Sequence, residues 1–141
     1  MNPDLLECRD CLCLASRKAA RAITQVYERH LRGHGLRATQ FTILTTLMVM
    51  GEAPVGTLAK FLGMDRTTLT RNLALLEDKG WIRTRTDDTD TRIHLLTATR
   101  AGEKLVRDAL PSWRKAQAKV TQMIGPASVA GLNRLAGTDI S

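Results

Sequence analysis

The stretch "TLAKFLGMDRTTLTRNLALLEDKGWIRTRTDDTDTRIHLLTA" (residues 57–98) constrains the fold more than any other part of the chain. Two segments of helical period meet around Gly63 and Asp65, and then the period drops to two. Leu58, Ala59 and Leu62 form one apolar stripe; Leu69, Leu73 and Leu76 form the next. Asp65 is a good N-cap for a helix over 66–79, and Gly80 stops it. "WIRTRT" (81–86) and "RIHLLTA" (92–98) read as two strands joined by the polar turn "DDTDT". A short helix, a tight turn and a second helix make a helix–turn–helix, and the hairpin behind it makes a wing.

The polar arc of the second helix carries Thr67, Thr70, Arg71 and Ala74, with Thr68 at its edge. A helix entering a major groove must bring its backbone close, so long side chains would obstruct it. Threonine exchanges hydrogen bonds with bases and phosphates and offers a methyl to thymine, and arginine forks onto guanine. Arg92, just past the wing turn, suits the narrow minor groove, where negative potential favours Arg. A three-helix core with a solvated polar face would explain the leucines but not the hairpin that follows them.

The flanks read as helices. Residues 5–34 carry Leu12, Ala15, Ala19, Ala22, Ile23 and Val26 at helical spacing, and Gly33 and Gly35 supply a stop. Thr39 is the expected cap of a helix reaching Met50, with Phe41, Leu44, Leu47 and Met48 inward. "GEAPV" is a connection with a very short strand at Val55, and 57–62 is a short helix. From Thr99 a long helix is expected to about Ile124, with Val106, Leu110, Trp113, Val120 and Met123 as its seam. Pro111 should bend or break it, and "GPAS" should separate a last helix over 129–135. The expected fold is mainly α with a small β-hairpin wing, a winged helix–turn–helix with N- and C-terminal dimerisation helices. The organisation is 1–36, 37–102 and 103–141 within one domain.

Bulk properties fit this reading. The chain has 141 residues, and 21 Lys plus Arg against 14 Asp plus Glu give net +7, which favours a polyanionic partner. Aromatics at 4% are too few for the stacking platforms of a single-strand binder. RNA is disfavoured because an A-form major groove excludes a reading helix. No apolar run approaches a membrane span, and "MNPDLLECRD" lacks a secretory pattern, so the expected location is the cytoplasm without membrane contact. No nucleophile–base–acid set, phosphate loop or paired metal motif is visible, so neither an enzyme nor a cofactor is expected. A non-specific architectural DNA-binding protein is the bland alternative.

Residues 39–102 resemble the winged helix–turn–helix of the MarR family of bacterial transcription regulators, through residues 57–92 and "TATRAG". The family's wing signature is D-x-R, seven residues ending in Leu-Thr, two more, then Gly. It falls on Asp90, Arg92, Thr99 and Gly102, with Ala98 in place of the usual Leu. "GLRATQFTIL" and "ALPSWRKAQ" extend the likeness to the flanks. The resemblance implies a homodimer on a pseudo-palindromic double-stranded DNA operator, probed by a small-molecule effector. It implies that Thr67, Thr68, Thr70 and Arg71 face the groove, that Asp90 orients an arginine, and that Arg92 contacts DNA. Arg66, Arg83 and Arg85 are expected to hold phosphates, which position without reading sequence. On that expectation Arg85→Ala flattens the salt dependence.

Cys8, Cys11 and Cys13 crowd one segment, an odd set that does not read as a disulfide framework. The plain reading is small hydrophobes at a dimer seam. The sharper reading is a thiol-based oxidant sensor. Against the organic-hydroperoxide-sensing branch of the family, Cys13 falls on the reactive cysteine, with Tyr27 and Gln40 in register, while Arg17 and Ala38 replace that branch's other tyrosines. Arg17 or Arg21 nearby would favour a thiolate. Three thiols on one helix do not aim readily at one ion, and His30 with His34, spaced i, i+4, lack a third ligand, so no metal site is expected.

Overall fold

The computed structural model describes residues 3–138. The outermost ends of the two expected dimerisation segments, residues 1–2 and 139–141, lie outside the described residues. After a 3-10 helix over Pro3–Asp10 come α1 (Leu12–Leu31), a 3-10 turn at Arg32–His34, and α2 (Ala38–Met50). β1 (Glu52–Pro54), α3 (Val55–Leu62) and α4 (Arg66–Asp78) follow, then β2 (Ile82–Thr86), β3 (His94–Ala98) and α5 (Arg100–Ala136). The strands form one antiparallel sheet in the order β1-β3-β2, with Ala53 opposite Leu96 and Thr84 opposite Leu96 on the other side. The mainly helical class with a small sheet is therefore the one the sequence indicates.

The described residues divide into two compact units. Leu31–Pro111 contains the three-helix cluster and the sheet. Its core is Leu36, Phe41, Ile43, Leu44 and Leu47 from the α2 side, Leu58 from α3, Leu69 and Leu76 from α4, and Ile82 and Leu96 from the sheet. Burying each such side chain contributes about 1.5–3 kcal/mol. The other unit joins residues up to His30 with those from Ser112 onward. It has a smaller core of Val26, Ala116 and Val120, flanked by Ile23, Tyr27 and Ile124. The Tyr27 hydroxyl donates to Gln117 Oε1 inside this unit, and burial raises the phenol's pKa.

Several expected boundaries move, each for a local reason. The helix expected over 5–34 is not continuous: Pro3–Asp10 is 3-10, and α1 starts at Leu12. Residues 4–10 are all exposed, so no packed face holds them in the α conformation. Arg37, not Thr39, is the N-cap of α2; Gln40 Oε1 reaches back to accept from the Arg37 backbone N–H at 3.0 Å. Ile43 and Thr46 are buried on α2, whereas Met48 is only half-buried. The short strand lies at Glu52–Pro54 and Val55 already begins α3. The hairpin strands start one and two residues later than expected.

Pro111 does not break α5. The helix runs through it, and the non-helical backbone falls at Gly125 (φ 78°, ψ 166°), ahead of Pro126. Proline is tolerated at the start of a helical stretch, and the positive φ that precedes it suits glycine. Of the expected seam, Val106 and Val120 are buried and Leu110 and Trp113 half-buried; Ala109 and Ala116 join them, whereas Met123 is 57% exposed.

Candidate nucleic-acid interface

The turn between α3 and α4 is short because Gly63 adopts the left-handed conformation (φ 61°), with the Met64 N–H returning to Ala59 O at 3.0 Å. α4 then begins on Asp65, whose Oδ1 accepts from the Thr68 backbone N–H at 2.8 Å. The Thr68 hydroxyl donates to Asp65 Oδ2 at 2.7 Å. Thr68 is thus half of a cap: its hydroxyl proton is committed to Asp65, and its lone pairs and methyl group remain. The Thr68 hydroxyl and amide together hold the Asp65 carboxyl below the usual carboxylate range.

The other polar residues of α4 are differently placed. Leu69, Leu73 and Leu76 seat one face, and Arg66, Thr67, Thr70, Arg71 and Ala74 line one open depression on the other. The Thr70 hydroxyl donates to Arg66 O at 2.7 Å, which leaves its lone pairs outward. Thr67 and Arg71 are exposed. Arg66 and Arg71 are the two cations lining this face, and Arg66 also lines the groove that borders the wing. Asn72, which sequence reasoning did not single out, ties back to Thr68 O at 2.9 Å and helps hold the first turn.

The wing is organised by two clasps. Arg92 donates from its backbone N–H and Nε to Asp90 Oδ1, both at 3.0 Å, and from Nη2 to Asp90 Oδ2 at 3.0 Å. The Arg92 guanidinium holds the Asp90 carboxyl below its usual range, yet the Arg92 side chain remains 88% exposed. The turn thereby presents an arginine in one fixed direction. Arg83 is exposed on β2.

Arg85, expected to hold a phosphate, is paired in the free chain. Its Nε and Nη2 fork onto Glu52 Oε2 and Oε1 at 2.8 and 2.5 Å, and Nη1 lies 3.8 Å from Asp88. Glu52 belongs to β1 and Arg85 to β2, so the pair bridges across the central strand β3. The pair lies on the solvent-exposed surface of the sheet. The two residues are 33 apart in sequence, and nothing local links them.

The same close geometry explains the Thr-x-x-Gly at the end of the wing. The Thr99 hydroxyl donates to Gly80 O at 2.6 Å and accepts from the Gly102 N–H at 3.2 Å, so one side chain caps α5 and fastens it to the end of α4. A Cβ at Gly102 would lie 2.2 Å from Trp81 O, a distance no side chain can occupy. Glycine stands there because backbone passes over backbone.

Cys8, Cys11 and Cys13 are all exposed, Cys8 in the 3-10 helix, Cys13 in the first turn of α1. Cys13 and Tyr27 lie on one helix, 14 positions apart, which is about 21 Å of rise. Within one protomer, Tyr27 therefore cannot activate Cys13; its hydroxyl is bonded to Gln117. Gln40 is engaged at the α2 cap. His30 Nδ1 lies 2.8 Å from Val26 O, which takes that nitrogen into the helix. Among the described residues, no three His, Cys, Asp or Glu side chains are grouped as metal ligands, and no helix is long and apolar enough to cross a membrane.

Known proteins share this arrangement. The sequence model of the MarR family matches residues 36–94, the segment that holds α2, α3, α4 and most of the wing. The crystal structure of the Mycobacterium tuberculosis transcriptional regulator MosR in complex with DNA is similar at 35% identity, with a TM-score of 0.81, over 90% of this chain and 94% of that one. The Escherichia coli transcriptional repressor MprA is 35% identical over 83 residues, 57% of this chain and 47% of its own. The Bacillus subtilis HTH-type regulator YwoH is 29% identical over 87 residues, 62% of this chain and 63% of its own. The match thus spans about half to two-thirds of the length of these curated relatives. A match at this identity over nearly all of MosR, together with the family segment on the helix–turn–helix and wing, establishes that this chain belongs to the MarR family of transcriptional regulators.

Proposed function

We propose that this protein is a homodimeric, sequence-specific repressor that binds a pseudo-palindromic operator and is released by a small-molecule effector. The observation that carries the reading is α4. Its leucines are sunk in the core, its short and forked residues line the opposite face, and a wing with a fixed arginine stands beside it. Thr67, Thr70 and Arg71 are the base-facing residues of this proposal, Thr68 contributes its methyl, and Arg66, Arg83 and Arg92 hold backbone or minor groove. The relative MosR was crystallised with DNA, and MprA is named a repressor, which supports both the ligand and the sign of regulation.

Dimerisation is supported by apolar side chains left uncovered in the terminal unit: Leu12 is 83% exposed, and Leu14, Leu132 and Leu135 are also open to solvent. Large apolar side chains exposed at this number within one unit are expected to be covered by a partner. The 1–36, 37–102 and 103–141 organisation follows from this reading, as does a cytoplasmic location beside the chromosome. The test is selection of bound duplexes from a random pool, with the mass of the complex read by sedimentation. A two-fold symmetric consensus bound by two chains is expected; diffuse binding by a single chain would overturn the reading in favour of an architectural role.

A second reading, an oxidant-sensing regulator that uses Cys13, is favoured by the exposure of all three thiols. Loss of operator binding on peroxide treatment, restored by reductant and absent in Cys13→Ser, is its expected signature. Unchanged wild-type binding removes it.

A further inference from the structure

A second groove, of about 450 Å³, lies beside the reading face of α4. Its floor is the first turn of α3, residues 55–57; its walls are Arg66 from α4 and Arg92 and His94 from the wing. No carboxylate lines it among the described residues. Arg66 also belongs to the depression on the face of α4, so the two surfaces are continuous. His94 is exposed at the first position of β3, paired with Thr86 of β2, and played no part in the sequence-based site.

From this placement we propose that His94 is an additional contact to a backbone phosphate of duplex DNA, one that takes up a proton when DNA binds. The inference rests on the DNA-binding reading above and deepens it. Histidine is the side chain whose charge changes between about pH 5 and 8. A phosphate held between Arg66 and Arg92 would bring a negative charge beside His94 and favour its imidazolium. Of the other charges on the adjoining elements, Arg71 and Arg83 are exposed and lie outside the groove lining, and those nearest the wing turn are paired. Asp90 is clasped by Arg92, Asp87 Oδ2 accepts from Thr89, and Arg85 is paired with Glu52 and Asp88. α3 contributes no charged side chain to the groove, and Lys60 lies outside its lining. Binding and protonation are linked, so DNA affinity increases as pH falls.

A phosphate contact does not depend on sequence, so the probe is a mixed-sequence 30-base-pair duplex at about 50 mM salt. Affinity of the full-length wild type is expected to rise roughly three- to tenfold between about pH 8 and about pH 6 at constant ionic strength. His94→Gln should keep the wild-type affinity at the higher pH and lose the rise, while the double variant His30→Gln, His34→Gln should retain it. In the wild type, the titration midpoint of the His94 Cε1–H resonance should move upward on saturation with duplex. A His94→Gln variant that keeps the full rise, or a midpoint that does not move, overturns the proposal. Tight binding that is flat with pH likewise overturns the proposal and leaves the DNA-binding reading standing. A wild type that binds no duplex at either pH removes the DNA-binding reading and this proposal with it.

Discussion

Thr68 and Arg71 stand three positions apart on α4, and their polar ends have opposite fates. The Thr68 hydroxyl is given to Asp65, and the Arg71 fork is left for a partner. Arg71→Ala is therefore expected to cost roughly 1–3 kcal/mol of operator binding and to relax base preference at one position, read by repeating the duplex selection. Thr68→Val should leave the selected consensus unchanged, since the methyl survives, and should loosen the start of α4. The cap also sets a pH limit. The Asp65 carboxyl titrates lower in the folded chain than in the unfolded one, so its contribution is complete above about pH 4 and is lost as pH falls through the lowered folded-state value. The Thr68 amide resonance should shift in that acid range and not above it. Asp65 as a cap was legible in the sequence, and the D-x-x-T spacing carried the signal for its bond to Thr68. A threonine suits either a groove or a cap, and composition does not separate the two.

At the scale of elements, the two wing clasps do different work. Arg85 is paired within the sheet, so Arg85→Ala should leave the slope of log affinity against log salt unchanged, whereas Arg66→Ala should reduce its magnitude by about one. Equal slopes for both variants would return Arg85 to the phosphate contacts. Gly102→Ala forces a methyl against Trp81 O and should destabilise the chain by about 1–3 kcal/mol in urea unfolding at unchanged m. Periodicity made the helices and hairpin legible because leucine spacing and the change of period are local properties. The Glu52–Arg85 bridge was not, because it joins residues brought together only by the strand order β1-β3-β2. Pro111 leaves the helix unbroken: proline marks a place where a helix loses a bond, and packing decides whether the helix stops there. The expected interruption at "GPAS" was legible, and it falls on Gly125, where backbone freedom and a following proline coincide.

For the whole molecule, the proposed dimer carries the decisive test. Leu12→Asp combined with Leu135→Asp should shift the sedimenting species from two chains to one and weaken operator binding sharply, while unit Leu31–Pro111 keeps its fold by circular dichroism. A monomeric wild type with full operator affinity would end the proposal. The hydroxyl of Thr68 has a last consequence, on the scale of lineages rather than molecules. Because Asp65 and Thr68 satisfy each other through two bonds, positions 65 and 68 are expected to vary as one unit. A descendant that changes residue 68 to meet a different base must find a new anchor for residue 65 at the same time. Related chains should therefore show these two positions changing together, while Arg71 changes alone.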